Sequence, residues 1–355
     1  MRIAVIGLGW VATAVWLPRL LARADCTVVA GVEPDPEAAA RAARLLGSVP
    51  VYGGHEDLPA DGIDAALVLT PNGTHARIAA WCLRHGLAVL LEKPACTDLA
   101  ELDVLAEAAR AGAGTLMLSA AARHRRDVTA LRSLVAAGEL GEPRVADLSW
   151  IRARGIPRGS WFRHAGSAGG GVLFDLGWHL IDVVLDLWGS GAVRDAAAFA
   201  STDFLHDPGR LAAWHADAAG PADVPGDVED RITGLVTTER YALALAFAWS
   251  SHEAVDRTVI ELHGTEATAE LRTTFGFSPN RLPGSSLRLK RGGTVTEIDV
   301  GRHATGEEYD RQLDEFLRPR TAAETQRSLA RAGDVLAVID ACYRAADLRP
   351  ATAIR

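Results

Sequence analysis

Asp175, His179, Asp182 and Asp186 follow one another at spacings of four, three and four residues within the stretch Gly169–Trp188. On a helix turning about 100° per residue they fall within about 60° of one another. Leu176, Leu180, Ile181, Val183, Val184, Leu185, Leu187 and Trp188 cover nearly all the rest. Carboxylates aligned with one imidazole, which titrates near neutral pH, can bind hydroxyls and move a proton. A surface helix shows a broad polar face. Here the polar residues form a narrow stripe without Lys, Arg, Ser or Gln. Such a stripe can also be a solvated edge on a core helix. The glycines Gly169–Gly171 just before it mark a place where backbone comes close to something. The pattern predicts a helix buried in protein with its stripe facing a cleft.

Lys93 is a second candidate. Of 37 basic residues only Lys93 and Lys290 are lysines. Burial can tune a lysine, whereas arginine keeps its proton. Lys93 stands at the end of an expected strand, Ala88–Leu91, in Glu92-Lys93-Pro94. An ordinary solvated lysine is the plain alternative.

The elements that position these groups begin at the first residues. Ile3–Ile6 reads as a strand feeding Gly7-Leu8-Gly9-Trp10-Val11-Ala12, then a helix to about Ala24 that Pro18 should kink or restart. A second strand, Thr27–Val32, ends in Glu33. Strand, glycine turn, helix, strand and acid form the dinucleotide-binding fingerprint. Gly7 makes the turn, and Gly9, Trp10 and Val11 bring backbone N–H groups and a helix start to a pyrophosphate. Glu33 accepts hydrogen bonds from the adenosine ribose and repels a 2′-phosphate, with Asp35 adding to that. NAD is therefore expected over NADP.

Helices near Pro36–Leu46, to His85, and over Asp98–Ala111 alternate with strands at Val49–Tyr52, Asp64–Thr70, Ala88–Leu91 and Gly114–Ser119. This alternation predicts a Rossmann-type, doubly wound parallel sheet over residues 1–122. Its ligand edge lies at the strand ends, which brings Thr70, Pro71, Asn72, His75, Glu92 and Lys93 to the glycine turn as cofactor-edge candidates. His75 equally suits a helix start that binds nothing.

From residue 123 the pattern turns to alternating strands: Val145–Arg152, Ala192–Ser201, Arg231–Thr237, Tyr241–Ser250, Arg257–His263, Ala267–Thr273, Leu287–Lys290 and Thr294–Val300. They predict an open, mostly antiparallel sheet with helices on one face, over residues 123–355. A helix is expected near Ala322–Arg344. The segment Thr202–Val228 is long and acidic, as functional loops often are. Residues 152–164 are rich in Arg and aromatics, and Trp161 and Arg163 there are candidates to line a pocket.

Composition bounds the partners. The 355 residues carry a net charge of −8, 48% hydrophobic and 23% charged residues, and nine tryptophans. The acidic balance argues against nucleic acid and anionic membranes. No run in the sequence reads as a membrane span. Cys26, Cys82, Cys96 and Cys342 have no metal-ligand spacing and read as reduced thiols of a cytoplasmic protein. No metal is expected. Tryptophans and acidic charge suit a carbohydrate, an amino sugar or an aminocyclitol. The Arg, Ala and Gly bias suits a GC-rich genome, in which an antibiotic-sugar pathway is one setting.

The glycine turn, Thr70-Pro71-Asn72 with His75, Glu92-Lys93-Pro94, Arg123 and Gly169-Gly170-Gly171…Asp175-x-Gly177-x-His179-x-x-Asp182 together resemble the Gfo/Idh/MocA oxidoreductases, which include glucose–fructose oxidoreductase and inositol dehydrogenase. The resemblance covers most of the chain. It implies a Rossmann domain followed by an open sheet, and NAD(P)-dependent, reversible oxidation of a secondary hydroxyl on a sugar or cyclitol. It implies Lys93, Asp175 and His179 as the catalytic group, with Arg123 and Asp182 beside the substrate. It also implies a homo-oligomer built on the open sheet. His124 stands where the family often has an aromatic residue, and the 202–228 segment is unusual, so the substrate stays open. The fold also occurs in NAD-dependent glycosidases, which cleave sugars without net redox, and in regulators that only bind nucleotide. Lys93, Asp175 and His179 together argue against a regulator.

Overall fold

The computed structural model describes residues 1–59, 61–215, 226–302 and 304–348. The chain forms two compact units, Met1–Ala120 with Tyr309–Gly333, and Ala121–Glu308 with Asp334–Arg355. This differs from two contiguous spans, 1–122 and 123–355, because a late segment folds with the first unit. Within that unit Trp16 packs edge-on against Tyr309, and Thr325 Oγ1 accepts a hydrogen bond from Leu116 N. Neither tie can be seen in local periodicity.

The first unit holds strands β1 (Arg2–Ile6), β2 (Thr27–Val32), β3 (Val51–Tyr52), β4 (Ala65–Val68), β5 (Ala88–Leu91) and β6 (Thr115–Leu118). They pair in parallel in the order β3-β2-β1-β4-β5-β6, the dinucleotide-binding order. Ile3, Val5, Ala65, Leu67 and Leu90 are fully buried, as a parallel sheet covered on both faces requires. Between the strands run α1 (Leu17–Leu21), α2 (Pro36–Leu46), α3 (His75–Arg84) and α4 (Leu99–Ala111). Pro18 opens α1, and the stretch before it, Val11–Trp16, is a π-helical turn closed by Leu17 N–H on Ala12 O. The helix therefore restarts at the proline. Asp35 caps α2 by accepting from Glu37 N, and Asp98 caps α4 by accepting from Glu101 N.

The second unit opens with α5 (Arg126–Ala136), β7 (Pro143–Ile151), α6 (Ala165–Ala168) and α7 (Trp178–Trp188). Strands β8 (Val193–Ser201), β9 (Arg231–Thr238), β10 (Ala242–Ala248), β11 (Arg257–Gly264), β12 (Thr268–Thr273), β13 (Ser286–Arg291) and β14 (Thr294–Ile298) follow. The sheet order is β14-β13-β12-β11-β7-β10-β9-β8, antiparallel except for the β7/β10 pair. Alternation decides its faces: Ala146, Leu148 and Trp150 of β7 and Leu243, Leu245 and Phe247 of β10 are buried, while Asp147 and Ser149 are half-exposed. The helices α8 (Glu307–Phe316) and α9 (Ala322–Ala345) are the last in sequence among the described residues. Helix α8 was not expected, because acids and an arginine fill most of it.

The helical run Ala165–Trp188 is long and apolar enough by composition to cross a membrane, contrary to the reading that no run is. Within the unit 83% of its most apolar window is buried, as in a core helix. The four cysteines are free and buried, and burial pushes the Cys82 and Cys342 thiols up to about 12.

Candidate active site

In the first unit the chain leaves β1 and turns at Gly7, whose φ is +88°. A Cβ there would stand 2.8 Å from the Leu69 carbonyl, so the turn admits only glycine. A Cβ at Gly9 would meet nothing within 4 Å. That open space, beside the helix start at Trp10 and Val11, is what close approach of a pyrophosphate needs. Glu33, at the end of β2, lies beside the same turn. Its Oε2 accepts from Leu8 N at 2.9 Å and its Oε1 from Asp35 N at 3.1 Å. The residues present therefore fit a dinucleotide, with Glu33 at the strand end where an adenosine ribose binds in such folds.

The opposite part of this edge is tied internally. His75 is fully buried between two backbone carbonyls, Nδ1 at 2.7 Å from Pro94 O and Nε2 at 2.7 Å from Thr70 O. Burial lowers its pKa, and the two carbonyls oppose that. The imidazole thus binds the Thr70–Asn72 turn to the loop after Lys93. Glu92 Oε1 accepts from Ser119 Oγ at 3.0 Å and Trp16 Nε1 at 3.3 Å, and its Oε2 from Lys93 N at 3.0 Å. Both residues, expected at the cofactor, hold the loop that presents Lys93, whose side chain is half-buried.

In the second unit the glycine run has a protein partner. A Cβ at Gly170 would lie 2.2 Å from Tyr343 Oη, and one at Gly171 2.0 Å from Glu229 O. Glu229, fully buried, accepts from Gly171 N at 2.9 Å, Leu173 N at 3.0 Å and Tyr343 Oη at 2.8 Å. It satisfies the exposed N–H groups of the helix start. Desolvation raises its pKa against these hydrogen bonds. Sequence reasoning missed Glu229, which lies at the end of an acidic stretch without periodicity.

The helix that follows begins with a π-helical turn, Leu173–Gly177, closed by Trp178 N–H on Leu173 O. Asp175 lies in this turn. Its Oδ2 accepts from Trp249 Nε1 at 2.9 Å and lies 3.8 Å from Arg152 Nη1. The His179 ring stands 5.8 Å from that of Trp150. Further down, the stripe is tied to arginines. Asp182 is buried and held through two oxygens by Arg123 Nε, at 2.6 Å, and Arg123 Nη2. Asp186 accepts from Arg132 Nη2 at 2.6 Å and lies 3.6 Å from Arg123 Nη1. The structure thus brings Arg123 and Asp182 together as an ion pair of this unit.

Trp161 stacks on Phe162 at 3.8 Å, and both are half-exposed. Arg163 is buried, and its Nη1 donates to Leu205 O at 3.3 Å. That guanidinium supports the 202–228 segment, of which residues 216–225 lie outside the described residues. Trp214 and Trp249 were missed, and Arg152 lay in the 152–164 segment without being singled out. Arg152 stands two residues after the buried Trp150, on the same side of the strand, with its side chain 11% exposed.

A parallel sheet in dinucleotide-binding order, with a glycine turn and an acid after its second strand, followed by an open sheet, defines an NAD(P)-dependent oxidoreductase architecture. Residues 1–119 match the oxidoreductase family with an NAD-binding Rossmann fold, and residues 128–270 match the GFO/IDH/MocA C-terminal domain. The chain belongs to the Gfo/Idh/MocA oxidoreductase family. A protein of Amycolatopsis mediterranei, named as a candidate UDP-kanosamine synthase oxidoreductase subunit, is 42% identical over 349 residues, 98% of this chain and 96% of that one. A dTDP-3,4-didehydro-2,6-dideoxy-alpha-D-glucose 3-reductase of Streptomyces antibioticus is 31% identical over 54% of this chain and 60% of its own. The aldose-aldose oxidoreductase of Caulobacter crescentus, solved with glycerol, has a TM-score of 0.76 at 24% identity, covering 98% of this chain and 97% of that one. It shares the fold.

Proposed function

We propose that this protein oxidises the 3-hydroxyl of a glucose-type sugar carried on a nucleotide, with NAD, in the making of an amino sugar. The observation that carries this reading is the 42% identity, along 98% of the chain, to the protein named for UDP-kanosamine synthesis. Kanosamine bears its nitrogen at the 3 position of glucose, and an amine is installed most directly on a carbonyl carbon. A 3-reductase among the relatives supports the same ring position.

Bound NAD supplies the hydride acceptor. Gly7, Gly9, Trp10 and Val11 hold its pyrophosphate, Glu33 its ribose, and Thr70, Pro71 and Asn72 the nicotinamide side of the edge. Glu33 disfavours a 2′-phosphate, which supports NAD over NADP. His179 takes the hydroxyl proton as the C–H hydrogen leaves with its electron pair. Lys93 donates a hydrogen bond to the same oxygen and stabilises its developing negative charge. Asp175, steadied at Oδ2 by Trp249, accepts a hydrogen bond from a second hydroxyl. A homo-oligomer joined through the half-exposed sheet face, where Phe199 is 68% and Leu235 47% exposed, and a cytoplasmic setting complete the reading.

Absorbance at 340 nm tests it, with NAD⁺ or NADP⁺ against UDP-glucose, dTDP-glucose, free glucose and inositols. A rise with UDP-glucose and NAD⁺, with a 3-keto product by NMR, is the expected result. A flat trace with every sugar nucleotide, while NAD⁺ binds, refutes it. Sugar cleavage without accumulated NADH points to a glycosidase instead.

A further inference from the structure

Arg152 follows β7 on its inward side, with a side chain only 11% exposed. Its Cζ stands 5.2 Å from the Trp150 ring centroid and 5.0 Å from that of Trp214, which the 202–228 segment supplies. Of its five N–H donors, one is engaged among the described residues, Nη1 on Gly155 O at a long 3.3 Å. Nη1 also faces Asp175 Oδ2 at 3.8 Å. Desolvation lowers the pKa of this guanidinium, and Asp175 and Asp256 act against that. The two indole faces and the Asp175 carboxylate offset its charge, but they leave most of its N–H donors without an acceptor among the described residues, which is costly for a nearly buried group. Nearby, the indole Nε1 of Trp150 is buried with no hydrogen-bond partner among the described residues. Both donors belong to the surroundings of Asp175 and His179.

The chemistry of a ligand that would satisfy them is constrained. Asp175 carries its charge beside the same Arg152 nitrogen, so a phosphate there would meet a carboxylate as well as the guanidinium. Neutral oxygens with their own hydrogens suit the pair better: the guanidinium donates to them and the carboxylate accepts from them. Adjacent ring hydroxyls of a sugar are such oxygens. The geometry points to Arg152 as a specificity-determining residue that donates to a ring hydroxyl next to the reacting carbon, with Trp214 as the positioning residue that holds its guanidinium against Trp150. This inference rests on the sugar-oxidation reading above and adds the group that reads the neighbouring hydroxyl.

The test uses the full chain with NAD⁺ and UDP-glucose, UDP-2-deoxyglucose and UDP-4-deoxyglucose, comparing wild type, Arg152→Met, Arg152→Lys, Trp214→Ala and Trp214→Phe. In wild type one deoxy sugar loses about 10- to 100-fold in kcat/KM, as a hydrogen bond to a charged group implies. Arg152→Met loses about as much on UDP-glucose and discriminates against that deoxy sugar less than about threefold, because the interaction is already gone. Arg152→Lys keeps the charge beside Asp175 but not the planar fork, and reads the same loss if the methionine variant does not fold. Trp214→Ala behaves like the arginine variants and Trp214→Phe restores discrimination. A deoxy penalty in both arginine variants equal to that of wild type, or no deoxy penalty in wild type, overturns the proposal while sugar oxidation stands. No turnover of any sugar by wild type overturns the sugar reading and this inference with it.

Discussion

The ion pair of Arg123 with Asp182 allows a quantitative test of whether these residues hold the second unit together. Replacing Arg123 by Met leaves a carboxylate whose side chain is 3% exposed. Little of it is open to water, and removing one partner of a buried pair costs about 3–5 kcal/mol. Replacing Asp182 by Asn leaves the guanidinium instead, which is 23% exposed and keeps Asp186 at 3.6 Å. Partial hydration and the second carboxylate should hold that cost to about 1–2 kcal/mol. The asymmetry is the prediction: Arg123→Met is more harmful than Asp182→Asn. The double variant costs less than the sum by about 1 kcal/mol or more, since the two groups touch. Urea unfolding followed by near-ultraviolet circular dichroism measures all three. Equal costs for the two single variants, or a strictly additive double variant, would refute the argument. If instead Asp182→Asn leaves stability unchanged and raises only the substrate KM, Asp182 serves the substrate rather than the fold.

Three other outcomes follow from the same geometry. Lys93→Met lowers kcat by at least about 100-fold, the usual scale for a group acting on developing charge, while NADH binding by fluorescence titration stays within about threefold; unchanged turnover removes Lys93 from the catalytic group. Glu33→Gln removes the charge opposing a 2′-phosphate and shifts the NADP⁺-to-NAD⁺ ratio of kcat/KM upward by about tenfold, on the order of 1.4 kcal/mol; a ratio that does not move places the discrimination elsewhere. Burial raises the pKa of Glu229 in the folded state above its ordinary value. Its contribution to stability is therefore fully present below the ordinary glutamate range and declines as pH rises through the raised folded value. Glu229→Gln, which does not titrate, should gain on wild type across that interval in thermal melts taken at successive pH values. A stability difference independent of pH contradicts the assignment.

The first unit was legible because its strands are buried on both faces and read as continuous apolar runs. Ile3–Ile6 and Ala65–Val68 need no partner to be recognised. The return of residues 309–333 to this unit was not legible, since Tyr309 on Trp16 and Thr325 on Leu116 are contacts across nearly the whole chain. Helix α8 was passed over although Tyr309, Leu313 and Phe316 keep helical spacing, because Glu307, Glu308, Asp310, Arg311, Asp314 and Glu315 dominate its composition.

The acidic stripe shows where pattern stops and environment begins. A helical wheel gives Asp175, Asp182 and Asp186 one face and one chemical type. It assumes a uniform turn, which the π-helical turn Leu173–Gly177 interrupts at Asp175. It also cannot say what lies opposite. Arginines from the 121–124 turn and α5 neutralise Asp182 and Asp186, more than 50 residues away in sequence. An indole donor and a poorly satisfied guanidinium border Asp175. A carboxylate bound through both oxygens to an arginine has little left to offer a substrate. Asp175 instead accepts an indole N–H and stands beside a guanidinium with N–H donors to spare, where a sugar hydroxyl would accept from that cation. That difference in surroundings, rather than the shared residue type, separates the part of the stripe proposed for chemistry from the part that fastens α7 to its neighbours.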